Sequence, residues 1–209
     1  MTRTEVINII AAERGAKTYL EIGTNPSGRN YEKINVPSKM GVSPGRKNDE
    51  LGIVSARSDE FFESDDAKGM VFDIIFIDGD HEYHQAKRDV KNAQKFLSPT
   101  GVLVIHDVNP ARADMVSEDR PKIGTQWCGE VYKVFVELRK LKTWTSFCIA
   151  DDHGIGVAYK APNPDQFKGK APKDWKEFNA KRNEYLRVLP ASKSMLLDAL
   201  RLHSADDKN

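Results

Sequence analysis

Two short clusters hold most of the side chains whose types and spacing suit chemistry. Asp78-Gly-Asp-His81 supplies two carboxylates and an imidazole within four residues, and His106-Asp107 adds one of each. Each cluster follows an apolar run, and a carboxylate at the end of a core strand is costly to keep charged unless paired, hydrated or bound to a cation. Asp78, Asp80 and Asp107 are therefore candidate ligands of Mg²⁺ or a similar hard divalent ion. The same clusters equally supply a general base, with His81 and His106 the groups best matched to neutral pH. The bland use of these residues is an Asp that caps the next helix and a His buried neutral against a carbonyl. His84 and His153 read as surface or turn residues, and Phe61, Phe62 and Trp127 as core.

The elements that must position these residues alternate along the chain. Thr4 to Arg14 has apolar spacing near the helical period and stops at Gly15. Thr18 to Gly23 is a short strand, followed by the loop Thr24-Asn-Pro-Ser-Gly28 and a short helix with Tyr31 and Ile34 on one face. Lys39 to Ser43 and Leu51 to Ala56 are further strands. Ser58 is a suitable N-cap for the helix around Glu60 to Phe62. Val71 to Ile77 is the strongest strand, and its near-continuous apolar run suits the centre of a parallel sheet. A helix from Tyr83 to Leu97 leads to the strand Val102 to Ile105. After a long polar loop from Val108 to Gln126 comes a helix from Gly129 to Leu141. Trp144 to Ala150 and Ile155 to Tyr159 flank Asp151-Asp-His-Gly154 as an antiparallel hairpin. Two helical patterns, Trp175 to Val188 and Ser192 to Leu202, close the chain.

Strand and helix in that rhythm indicate βαβ units and a parallel sheet with helices on both faces. The terminal hairpin argues against a dinucleotide-binding domain, which would continue with parallel units. The expected fold is α/β and Rossmann-like: a mostly parallel seven-stranded sheet ending in an antiparallel hairpin. Residues 1–162 would form the domain and 163–209 a helical extension of it. In such sheets ligands bind beyond the C-terminal strand ends. Strand one ends there in Glu21 and Gly23, and the loop from Thr24 to Gly28 would let a ligand approach the backbone. An ordinary βα turn is the other reading of that loop.

The 209 residues are enough for one domain with a substantial core. Lys and Arg (32) nearly balance Asp and Glu (31), so no global field points to nucleic acid or an anionic membrane. No run reaches membrane-span length, and the start of the chain lacks an apolar core of signal-peptide length. Cys128 and Cys148 lack metal-ligand spacing and are expected as free thiols of a cytoplasmic protein.

Several segments resemble class I S-adenosylmethionine-dependent methyltransferases. They are Tyr19-Leu-Glu-Ile-Gly23, Gly28-Arg-Asn-Tyr31, Met40-Gly-Val-Ser-Pro44, Ser58-Asp-Glu-Phe-Phe62, Phe72 to Tyr83 and Gly101 to Val108. More narrowly, the chain is similar to small bacterial methyltransferases with an I-D-G-D-H-x-Y and an H-D segment. The resemblance covers residues 15 to 160. It implies that Glu21, Gly23, Thr24 and Gly28 meet the methionine part of the cofactor, Ser43 the ribose, and Ser58 with Asp59 the adenine. Asp78 would face the reaction centre, and Asp78 and Asp107 match positions that hold a divalent metal in related sugar O-methyltransferases. Two departures fall on the cofactor half: Ser43 stands where the family usually has an acidic residue, and the glycine loop is one residue longer, with Pro26 inside it.

The leading expectation is methyl transfer from S-adenosylmethionine to an oxygen of a small molecule or glycan. Asp78, His81, His106 or Asp107 would remove the proton, directly or through a metal. The loop from Val108 to Gln126, with Arg112, Arg120 and the following Trp127, would cover the acceptor. Ser43 and the altered loop motivate a different expectation, a binding module that keeps the fold and has lost the cofactor. A third is another nucleotide-using enzyme. The C-terminal helices are open to three placements: over the site, on the sheet, or in a homo-oligomer contact.

Overall fold

The computed structural model describes residues 1–24, 30–117, 121 and 126–201. Its centre is an eight-stranded sheet, order β3-β2-β1-β4-β5-β7-β6-β8. The strands are β1 Thr18–Ile22, β2 Ser38–Val42, β3 Ile53–Val54, β4 Phe72–Ile77, β5 Leu97–Ile105, β6 Trp144–Ile149, β7 Ile155–Lys160 and β8 Val188–Leu189. β1 to β5 run parallel, and β7 is antiparallel to both β5 and β6. The hairpin therefore closes the sheet as the sequence indicates, but the strand count is eight rather than seven. β8 supplies the difference by pairing parallel to β6 through Cys148–Val188 and Ile149–Leu189. Two residues are too few to show a period-2 pattern.

Alternation along the strands feeds two cores. Leu20, Ile22, Ile75, Ile77, Leu103 and Ile105 face α2 (Ser58–Glu63), α3 (Tyr83–Phe96) and α4 (Val131–Arg139). Tyr19, Ile74, Phe76, Val102 and Val104 face α1 (Arg3–Arg14) and α7 (Lys193–Arg201). At roughly 25 cal/mol per Å² of apolar surface, these two layers are the main stabilising term. α1 begins in a capping box: Glu5 N–H donates to the Thr2 hydroxyl, while the Thr2 N–H donates to the Glu5 carboxylate at 2.7 Å. That box fixes where Arg3 starts the helix.

Other elements differ in extent from the sequence reading. The third strand shrinks to Ile53–Val54, and the helix beside Tyr31 is a single 3₁₀ turn, Tyr31–Lys33. Ser58 is the first helical residue of α2 and Arg57 the N-cap, because the Ser58 hydroxyl donates instead to Asp89 at 2.6 Å. The pattern from Trp175 to Val188 breaks at Lys181 into α5 (Trp175–Ala180) and α6 (Arg182–Leu186). Arg182 there reaches the Asn109 side chain and the Pro110 carbonyl. Phe61 and Phe62 are buried, as are the free thiols Cys128 and Cys148. No helix among the described residues is long and apolar enough to cross a membrane.

Candidate active site

Sheet order reverses between β1 and β4, the place where open α/β sheets leave a crevice. The ladder runs one residue past the strands: Asp78 N–H donates to Ile22 O at 2.9 Å, and His106 N–H to Ile77 O at 3.0 Å. Asp78 and His106 therefore emerge side by side. Gly23 crosses beside them at φ 88°, where a Cβ would lie 2.1 Å from the Asp78 carbonyl oxygen. Only glycine allows that approach.

A cleft of about 570 Å³ opens over this point, lined by Gly23, Thr24, Ser43, Ser58, Asp78, Asp80 and His81, with Arg57, Gln85 and Asp89. A larger hollow, of about 680 Å³, lies beside Trp144 and Lys160, but it holds none of these groups. Seven residues picked from the sequence thus share one wall. Others go elsewhere. Asp59 pairs with Arg88 at 3.0 Å and does not line the cleft. Glu21 is buried on the α1 side, accepting from Tyr19 Oη at 2.6 Å and Asn30 Nδ2 at 2.8 Å. Burial pushes its carboxyl up to about 7, against those two donors. Gly28, Pro26 and Arg120 lie outside the described residues.

His81 is the imidazole that meets both the cleft and the carboxylates. Its Nδ1 is 2.9 Å from the Trp127 carbonyl, which can only accept, so Nδ1 carries a proton. Nε2 then faces Asp78 and Asp107, each at 3.5 Å. Gly129 lies against the His81 carbonyl, where a Cβ would come within 2.4 Å, and Glu130 N–H donates to that oxygen at 2.9 Å. The Trp127 ring lies over the His81 ring at 5.4 Å, so Trp127 helps form the site rather than the core. Burial pulls the His81 pKa down, but Asp78 and Asp107 outweigh it and the net shift is upward.

Behind His81 the charges are dense. His106 is 3% exposed, with Nδ1 at 3.2 Å from Asp78 and 3.1 Å from Asp107. Its Nε2 is 3.4 Å from Asp152, an ion-pair distance without hydrogen-bond alignment. Burial opposes the imidazolium, yet the carboxylates raise its pKa well above the usual range. Asp78 is driven the other way: burial raises it, and His106, His81 and Arg3 hold it well below the ordinary carboxylate value.

Arg3 and Asp152 were not legible as site residues. Arg3 donates from Nη1 to Asp78 at 2.6 Å, and from Nε and Nη2 to the two oxygens of Asp152 at 3.0 and 3.1 Å. Asp107, Asp152 and His153 sit at φ 60°, 52° and 58°, three of the four non-glycine residues with positive φ among those described. Strained backbone at a cluster of charged groups is common at functional sites. His153 is thus a turn residue as expected, and its ring meets that of His106 edge-on at 6.4 Å.

Asp80 stands apart from the other carboxylates, accepting from Glu82 N–H at 3.1 Å. The group with ligand atoms within 4.8 Å of one another is Asp78, His81 and Asp107, so His81 stands where Asp80 was expected. A second such group is Asp107, Cys128 and His153. There the Cys128 thiol donates to Asp107 at 3.3 Å, and burial together with that carboxylate raises its pKa far above the thiol range.

The sheet order and the closing antiparallel hairpin are those of the Rossmann-like fold that methyltransferases adopt. Residues 12–108 match a family model described as a methyltransferase domain, a span that includes β1 to β5 and both charged clusters. No curated protein matches the chain in sequence. Among solved structures, the chain is similar to a Staphylococcus aureus protein assigned as a caffeoyl-CoA O-methyltransferase. They share 18% identity with a TM-score of 0.59, over 76% of this chain and 82% of the other. An O-methyltransferase from Bacillus cereus, solved with S-adenosylhomocysteine (SAH), gives 15% and 0.57 over 77% and 82%. MycE of mycinamycin biosynthesis, solved with Mg, SAH and mycinamycin VI, gives 15% and 0.51 over 79% and 50%.

Proposed function

We propose that the protein is an S-adenosylmethionine-dependent methyltransferase acting on a hydroxyl of a small molecule or glycan. The observation that carries this reading is the position of His81, whose unprotonated-side nitrogen Nε2 is aimed between Asp78 and Asp107 at the rim of a nucleoside-sized cleft. The matching domain and the O-methyltransferase neighbours support it.

The cleft suits the cofactor on an independent ground. Asp89 is 1% exposed and its Oδ2 has no partner, while Oδ1 accepts from Ser58 and Gln85. A buried acceptor left open calls for a donor, which an adenine amino group or a ribose hydroxyl provides. Asp89 thus offers the acidic group missing at Ser43, from α3 rather than from strand two. Gly23 and Thr24 would meet the methionine end, Ser43 the ribose, and Ser58 with Asp89 the base. When bound, S-adenosylmethionine supplies an electrophilic methyl whose C–S bond breaks as the acceptor's C–O bond forms.

The chain's own residues then have to orient the acceptor and take its proton. Neutral His81 receives the hydroxyl proton at Nε2 as general base. Asp78 and Asp107 stabilise the resulting imidazolium, and the Trp127 carbonyl holds the tautomer. Trp127, whose ring packs on that of His81, would border the acceptor side. A hard divalent ion does not fit this donor set. Both oxygens of Asp78 already receive cationic donors, Arg3 at 2.6 Å and His106 at 3.2 Å, and Asp80 accepts from the Glu82 N–H and is not in the ligand group. Mg²⁺ needs oxygen ligands free to coordinate it.

The test is thermal melting with and without SAH. A ligand at a hundred times its dissociation constant stabilises by about 2.7 kcal/mol, which is several degrees for this size. No shift at millimolar SAH would refute the reading and favour a binding module that has lost the cofactor.

A further inference from the structure

We infer that Arg3 is the built-in cation of this site, standing where a divalent metal would otherwise neutralise the strand-end carboxylates. Asp78, Asp107 and Asp152 bring three carboxylates to one spot. Arg3 is joined to two of them by four hydrogen bonds. Its backbone N–H donates to Asp152 at 2.8 Å, Nε and Nη2 form a fork onto the same carboxylate, and Nη1 reaches Asp78. Such bidentate, charge-assisted pairing is what the planar guanidinium does best.

The arrangement is built rather than incidental. The Thr2–Glu5 capping box starts α1 at Arg3, so the side chain leaves the first helical turn directly over the ends of β4 and β5. Asp152 is held at φ 52° in the β6–β7 turn and presents both oxygens to the guanidinium. His106 fills the remaining side of Asp78, at 3.2 Å from Oδ1. A divalent ion held by Asp78 and Asp107 would have to displace Arg3 Nη1 and sit beside a fixed positive charge. The same charge also biases the site toward acceptors that become anionic as the hydroxyl proton leaves.

The inference concerns the site proposed for methyl transfer, but its test needs neither cofactor nor acceptor, so the two can fail separately. The probe is Mn²⁺ alone, titrated by calorimetry and by electron paramagnetic resonance against the full chain. The wild type is expected to bind no Mn²⁺ below millimolar concentration. Arg3→Met should gain at least about tenfold in Mn²⁺ affinity, and Asp78→Asn added to it should abolish the gain. Arg3→Lys, which keeps the charge, should behave as the wild type. Micromolar Mn²⁺ binding by the wild type would overturn the inference, as would a folded Arg3→Met protein with unchanged affinity. If Arg3→Met does not fold, the wild-type and Arg3→Lys titrations still decide.

Discussion

His81 Nδ1 donates to the Trp127 carbonyl oxygen at 2.9 Å, and this single bond leaves Nε2 as the nitrogen that faces Asp78 and Asp107. The backbone carbonyl has no proton to give, so the tautomer is set by the loop before α4 rather than by the carboxylates. Nε2 is left between Asp78 and Asp107, groups that favour its protonation. The two carboxylates thus act on the same nitrogen that takes the proton, while a backbone carbonyl orients the ring from the other side.

Replacing His81 by Ala should lower kcat by roughly 10²–10⁴-fold, the usual contribution of a positioned general base. Affinity for SAH should change little, since the imidazole handles the acceptor proton. Full turnover in the variant, measured with any accepted hydroxyl substrate, would remove His81 from the mechanism.

The pH dependence of kcat/KM should follow the same residue. Asp78 and Asp107 raise the His81 pKa above its ordinary value, which favours the protonated form against the neutral base the mechanism needs. Activity should therefore rise with pH, with its midpoint above 6.5. A profile flat from pH 6 to 9 would argue against a titrating imidazole base.

Asp89→Asn should weaken SAH binding roughly 5- to 150-fold, the equivalent of about 1–3 kcal/mol for leaving a buried donor facing a donor. Calorimetry reads this directly. Unchanged affinity would show that the open Oδ2 serves something other than the cofactor.

Glu21 gives a stability signature independent of catalysis. Burial lifts its carboxyl from 4.5 to about 7, so the folded state holds a proton that the unfolded chain releases. Its contribution is fully present below pH 4.5 and is lost as pH rises toward 7. At about 1.4 kcal/mol per pH unit this amounts to about 3 kcal/mol. Urea unfolding across that window should show the decline, and Glu21→Gln should flatten it.

Gly23→Ala should destabilise by several kcal/mol, on the order of 4 or more, because the new Cβ would meet the Asp78 carbonyl at 2.1 Å. Circular-dichroism melting checks this. A loss below about 1 kcal/mol would mean the crossing of β1 and β4 relaxes easily.

The sequence by itself determined seven of the eight strands and about half of the cleft wall. Apolar runs such as Ile74 to Ile77 and Val102 to Ile105 read as central parallel strands because both their faces are covered. Each strand end then marks a place on one edge, which brought Gly23, Ser43, Asp78 and His106 together without coordinates. Tertiary structure alone decided the rest. Local spacing says nothing about Arg3, which meets Asp78 only because α1 packs across the sheet, or about Asp152, which arrives by the hairpin turn. Nor could it separate Asp80 from Asp78: two residues apart on an irregular loop, they point to different partners. Periodicity reports which face a residue occupies within its own element. Ion pairs between elements depend on how those elements are stacked, and that is a property of the packed chain.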